Sequence, residues 1–130
     1  MRKLIIVLIV AAAPILGLSA WLGNALKSNG ATPVTIVSSP AADTSRTVPA
    51  NGGIKICNTS AGSVTCSLFY VDNTITNYLD SKDIILGPGD FYYNDWVCII
   101  STNTGLIRLQ TDAVGDDNLD ITTHYRDEGQ

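Results

Sequence analysis

Basic side chains are scarce in this 130-residue chain, which has eight Lys and Arg in all. Past Gly30 only Arg46, Lys55, Lys82, Arg108 and Arg126 face twelve acidic residues, a net charge of −7 with His124 neutral. They are scattered singly, so they form no stripe to neutralise a phosphate backbone or an anionic lipid surface, and nucleic-acid binding is disfavoured. A single histidine and no Cys-x-x-Cys spacing leave too few ligands for a zinc centre. No Gly-x-Ser-x-Gly elbow occurs and no cysteine stands beside a histidine, so nucleophilic catalysis has only His124 as a base and no marked nucleophile. The one Gly-rich turn, Gly87-Pro88-Gly89, precedes a strand pattern, and Pro88 lacks the N–H that a phosphate loop would donate. Glutamate is nearly absent, one residue against eleven aspartates, a balance that suits turns rather than helices.

Charge is missing altogether from Leu4 to Leu26, which follows the basic pair Arg2 and Lys3 and carries only Ser19 and Asn24 as clearly polar residues. As a helix rising about 1.5 Å per residue, this stretch would reach about 35 Å, enough to cross a hydrocarbon core of about 30 Å. It reads as a membrane anchor or as a secretory signal, with Gly23 and Ala25 forming a small-x-small cleavage pattern. In either case the basic start holds the N-terminus in the cytoplasm, and the chain beyond Leu26 is expected on the outer side. Residues 1–30 are thus the anchor or signal with a short linker, and residues 31–130, about the size of one small domain, are the folded unit.

Beyond Gly30 the chain breaks into short β-rich runs separated by turn chemistry. The runs are 33–37, 47–49, 54–58, 63–71, 74–79, 83–86, 91–93, 96–101, 105–111 and 119–126. Asn51-Gly52-Gly53, Ala61-Gly62, Asp72-Asn73, Gly87-Pro88-Gly89, Asn94-Asp95 and Gly115-Asp116-Asp117 punctuate them. Alternation places Val64, Cys66, Leu68 and Tyr70 on one face, Ile107 with Leu109, and Ile121 with Thr123 and Tyr125, leaving His124 on a polar face. The unbroken apolar run from Trp96 to Ile100 predicts a central strand covered on both faces. With no helical period after residue 30, the pattern predicts an all-β antiparallel sandwich, jelly-roll or immunoglobulin-like, preceded by one N-terminal hydrophobic helix.

Three features carry candidate chemistry. Tyr92, Tyr93 and Trp96 crowd one turn, where aromatics can make a protein or carbohydrate contact surface or simply close the end of the sandwich. Cys57, Cys66 and Cys98 allow at most one disulfide in an oxidising compartment. With Ile56 opposite Cys66, Cys57 would point away, so a Cys57–Cys66 bridge needs a bulge, Cys66–Cys98 is an alternative, and three buried free thiols are a third. Asp112, Asp116, Asp117 and Asp120 concentrate oxygen ligands at one loop, but their spacing is not that of a helix-flanked calcium loop, and a solvated Asp-rich turn is the simpler reading. Asn58-Thr59-Ser60 has the glycosylation acceptor pattern.

The runs "TVPANGGIKICNTSAGSVTCSLFYVD" (47–72), "IILGPGDFYYND" (84–95) and "LDITTHYRDE" (119–128) resemble those of small β-sandwich virion proteins of bacteriophages and their relatives. The features carrying it are Thr47, Pro49, Ala50, Cys57, Asn58, the strand from Val64 to Asp72, Ile85, Pro88, Tyr125 and Asp127. The resemblance implies a capsid, neck or tail component acting through copies of itself or its neighbours, with no catalytic residue to carry over; separately, neither a cofactor nor a metal is expected from the residues. Leu4 to Leu26 departs from it, and a virus with an internal membrane or a prophage-encoded surface protein would accommodate both. The alternative is a secreted carbohydrate- or ligand-binding module using the aromatic turn.

Overall fold

A computed structural model describes residues 21–79, 82–112 and 116–129. Within them the chain forms eleven strands and no helix. They are β1 (Trp21–Asn29), β2 (Val34–Val37), β3 (Thr44–Val48), β4 (Ile54–Asn58), β5 (Val64–Asp72), β6 (Ile75–Tyr78), β7 (Ile84–Leu86), β8 (Phe91–Tyr93), β9 (Cys98–Ile100), β10 (Gly105–Thr111) and β11 (Asp116–Gly129). All pairings are antiparallel, and they build two sheets.

The registers reduce eleven strands to eight rows. β11 pairs along one edge with β1, and along the other with β4 at Leu119–Thr123 and then with β3 at Arg126–Gly129. β3 and β4 therefore run end to end as one row interrupted by Pro49–Gly53. Their outer neighbours β9 and β8 likewise form one row interrupted at Asn94–Val97. In the second sheet β5 pairs with β10 on one side, and on the other with β6 near Asp72 and β7 near Val64, a third interrupted row. The first sheet then reads β1, β11, β3/β4, β9/β8 and the second β2, β10, β5, β6/β7.

Taken in chain order, the first row pairs with the last (β1 with β11), the second with the seventh (β2 with β10), the third with the sixth (β3/β4 with β9/β8) and the fourth with the fifth (β5 with β6/β7). The chain is one long antiparallel hairpin with nested pairing, rolled so that successive pairs fall in alternate sheets. β1 packs over β2, so the β9/β8 row and the β6/β7 row edge the opposite flank.

Alternation makes the inner faces. Val64, Cys66 and Leu68 of β5, Ile107 and Leu109 of β10, and Ile36 and Val37 from β2 face Val48, Ile54, Ile56, Ile100, Leu119 and Ile121 of the first sheet, all buried. Each such side chain stabilises by about 1.5–3 kcal/mol relative to exposure. The two-residue turn Asn73-Thr74 joins β5 to β6 with Asn73 at φ 53°, a left-handed conformation that Asn tolerates.

Two expectations need correction. Trp21 to Leu26, the end of the anticipated hydrophobic helix, is extended and belongs to β1, so the sandwich begins before residue 30; Leu4 to Ala20 lies outside the described residues. No helix among the described residues is long and apolar enough to cross a membrane. β1 is recruited because β11 would otherwise expose an unpaired edge from Asp116 to Arg126. The Trp96–Ile100 run is not a central strand either. β9 edges the first sheet, with Cys98 and Ile100 turned inward while Val97 and Ile99 are exposed. An apolar run looks alike whether both faces are covered or the outer face simply carries apolar residues.

Candidate functional site

The aromatic turn divides between core and surface. β8 alternates, so Tyr92 and also Trp96 pack against the core, while Tyr93 points outward. Its outward companion is Phe91, two residues back on the same face, which the crowding of aromatics at the turn does not single out. The two rings stack with centroids 6.5 Å apart and planes 20° from parallel. Lys55 lies opposite Tyr93 in the neighbouring row, and its ammonium sits 4.7 Å from the Phe91 centroid and 5.8 Å from that of Tyr93. Each contact places a cation over a ring's negative face. The signal available in the sequence was the i, i+2 spacing of Phe91 and Tyr93, which puts both on one side of a strand.

What holds this row in place is Asn94, fully buried at the break between β8 and β9. Its side-chain oxygen accepts the Ile54 N–H at 2.7 Å, and its amide donates to the carbonyls of Pro49 at 2.8 Å and Trp96 at 2.7 Å. Its backbone accepts from Asn51 N–H at 2.6 Å and donates to the Ile54 carbonyl at 3.2 Å. One side chain thus satisfies the backbone groups left open where two adjacent rows break together. As an isolated Asn-Asp pair it reads only as a turn.

A second concave surface lies on the outer face of the second sheet. Thr65 and Ser67 of β5 form its floor, Gln110 and Asp112 one wall, and Tyr78 and Asp83 the other, around a cavity of about 210 Å³. Asp112 accepts the Thr65 N–H at 3.0 Å, Ser67 Oγ accepts the Asp83 N–H at 3.0 Å, and Gln110 donates to the Ala31 carbonyl at 3.0 Å. The lining is acceptor-rich, and hydroxyl groups of a polar ligand match it chemically.

The remaining candidates are separated. Asp120 is paired with Lys27 at 2.7 Å on the outer face of the first sheet, Asp116 opens β11 opposite Asn29, and Asp112 belongs to the cleft of the second sheet. Strand β11 thus draws the aspartates out along an extended backbone, and no group of three metal-ligating side chains exists among the described residues. His124 is exposed, on a central strand rather than an edge. The cysteines are free thiols: Cys57 on the outer face opposite Phe91, Cys66 in the core and Cys98 half-buried. Burial pushes the Cys66 thiol up to about 12, with Asp112 adding to it, and burial raises that of Cys98. Both are protonated and unreactive near neutrality. Asn58 is buried, and its amide donates to the carbonyls of Gly62, Leu86 and Gly87 at 2.7, 2.9 and 3.1 Å.

Compared with known proteins, the sequence matches no protein-family model and no curated protein.

Proposed function

We propose that the chain is a non-enzymatic structural protein whose sandwich is a jelly roll, working by assembly with copies of itself or with neighbouring proteins in a virion or on a membrane surface. The observation that carries this reading is the nested pairing of eight rows in two four-row sheets. Double-sheet jelly rolls recur in viral capsid and lectin domains. The fold does not by itself assign a function. The capsid branch is favoured by the strand-order resemblance at residues 46–128 and by the apolar side chains on the sandwich edges. The apolar stretch ahead of β1 supports a membrane-bound or exported state, with the sandwich outside.

The test is expression of the full chain followed by density-gradient separation and electron microscopy of the heavy fractions. Regular assemblies with no hydrolytic activity are expected; a chain that remains a free cytosolic monomer would overturn the reading. Protease added to spheroplasts checks the topology, since protection of residues 34–130 until detergent is added would place the sandwich on the wrong side.

A carbohydrate-binding role is the second reading, favoured by the acceptor-rich cleft at Thr65, Ser67 and Asp112 and by the Phe91–Tyr93 stack. A glycan array screened with and without calcium tests it, and absence of binding in both removes it.

A further inference from the structure

Exposed large hydrophobic side chains are unevenly distributed over the sandwich. Among the described residues nine are exposed, and seven of them lie on the single flank formed by the β6/β7 and β9/β8 rows: Ile75, Tyr78 and Ile85 along one row, and Phe91, Tyr93, Val97 and Ile99 along the other. The other two, Trp21 and Leu22, are on β1 at the opposite flank. Edge strands of natural sheets are ordinarily blunted by charges, proline or bulges, because their unpaired N–H and C=O groups recruit other strands. Here the four strands of these edge rows carry apolar, aromatic and neutral polar side chains with no charge or proline, and the charged residues fall in the connections between them.

We propose that this flank is where a second copy of the chain docks, edge row to edge row, extending both sheets across the contact. The inference rests on the assembly reading above and names its interface. Open edges are the first argument. Both rows end their sheets, so each presents unpaired backbone N–H and C=O groups to a matching row of a second copy. Charge is the second. The chain past Gly30 is strongly acidic, yet two of its five basic residues lie on this flank, Lys55 over Phe91 and Tyr93, and Lys82 over Tyr78 at 5.3 Å. The same flank carries Asp83, Asp90 and Asp95, all exposed. Both signs are therefore present, so an antiparallel copy can set lysine against aspartate where a uniformly acidic surface would repel its twin.

Sedimentation velocity of the full chain in mild detergent tests the contact, with dimerisation expected at a Kd on the order of micromolar or tighter. The double variant Ile85→Lys/Ile99→Lys places a charge on each edge row, and Tyr93→Ser with Phe91→Ser removes the stack without adding charge. Both are expected to weaken association at least about tenfold while circular dichroism stays unchanged, and Ala31→Lys on the other flank is expected to leave it intact. Assemblies that persist in both flank variants, or that Ala31→Lys disrupts instead, overturn the flank assignment and leave the assembly reading standing. A full chain that is monomeric at every concentration overturns both.

Discussion

The guanidinium of Arg46 grips the carboxylate of Asp127 in a two-pronged pair, Nε to Oδ1 at 2.6 Å and Nη2 to Oδ2 at 2.7 Å, directly across the β3–β11 ladder. Arg46 is buried at an inner-face position, so its charge sits at the end of the core rather than in water. Its third nitrogen donates to the Ser38 carbonyl at 2.7 Å and to Ser38 Oγ at 2.9 Å, and the Tyr125 ring lies 4.2 Å away. The hydrogen bond to Asp127 holds the guanidinium above its ordinary value against the opposing effect of burial. The pair ties the loop leaving β2 to both β3 and the C-terminal strand.

Arg46→Met is expected to destabilise the fold by about 2–3 kcal/mol, less than a fully buried pair would lose because Asp127 keeps partial access to water. Adding Asp127→Leu to the same chain is expected to recover part of that loss, since no uncompensated carboxylate then remains. Urea titration of the two variants checks both; equal stability of Arg46→Met and the parent would show the pair to be inert.

Asn94→Ala leaves the Ile54 N–H and the Pro49 and Trp96 carbonyls without their partner at the double break in the first sheet. At about 1–3 kcal/mol for each buried group left unsatisfied, partly relieved by water, the expected loss is about 3 kcal/mol. Asn94→Asp preserves the acceptor but turns a carboxylate towards two carbonyls, and is expected to fare no better. Denaturant midpoints decide the matter, and a change below about 0.5 kcal/mol, the range of ordinary surface substitutions, would contradict the clamp.

Alkaline stability follows from Cys66. Its thiol goes from the ordinary 9.0 to about 12 in the folded chain, so the folded state binds that proton more tightly than the unfolded one. The contribution is fully present below about pH 9 and is lost as pH rises towards about 12, at about 1.4 kcal/mol per pH unit. Cys98, also raised by burial, adds to the same slope. Cys66→Val is expected to flatten the decline measured by urea unfolding between those limits. An unchanged slope in that variant would assign the loss to other groups.

Asn58 fits an acceptor motif, yet its amide nitrogen is committed to three carbonyls and its oxygen accepts from Ser60 N–H and Oγ at 2.9 and 2.7 Å. Folded protein recovered from a eukaryotic secretory host is expected to carry no glycan there, because a sugar on that nitrogen would break the β4–β7 contact. Intact-mass measurement before and after glycosidase treatment checks this, and a mass loss mapped to Asn58 would refute it.

Much of the fold is legible from local pattern. Period-two alternation in Val64–Leu68 and Ile121–Tyr125 sets which side chains face the core, because a pleated strand has no other way to dispose them, and Asn73 and Gly89 mark turns because few residues adopt their positive φ. The expected pairing of Ile56 with Cys66 does not occur: β4 and β5 lie in different sheets, Ile56 pairs with Ile121 and Tyr92 and Cys66 with Ile84 and Thr111, so no cross-strand Cys57–Cys66 relationship exists. Non-local pairing was not legible: that Trp21–Asn29 becomes a strand depends on an open β11 edge a hundred residues away, and nothing between Trp21 and Leu26 separates an apolar strand from an apolar helix. Whether Val97 and Ile99 are covered depends on which row ends the sheet, and Asn94 becomes a clamp only where two interrupted rows lie side by side. Composition and alternation determined a two-faced, acidic, antiparallel sandwich; row order, flank and clamp were decided by tertiary structure, since each rests on backbone groups far apart in the chain finding the same edge.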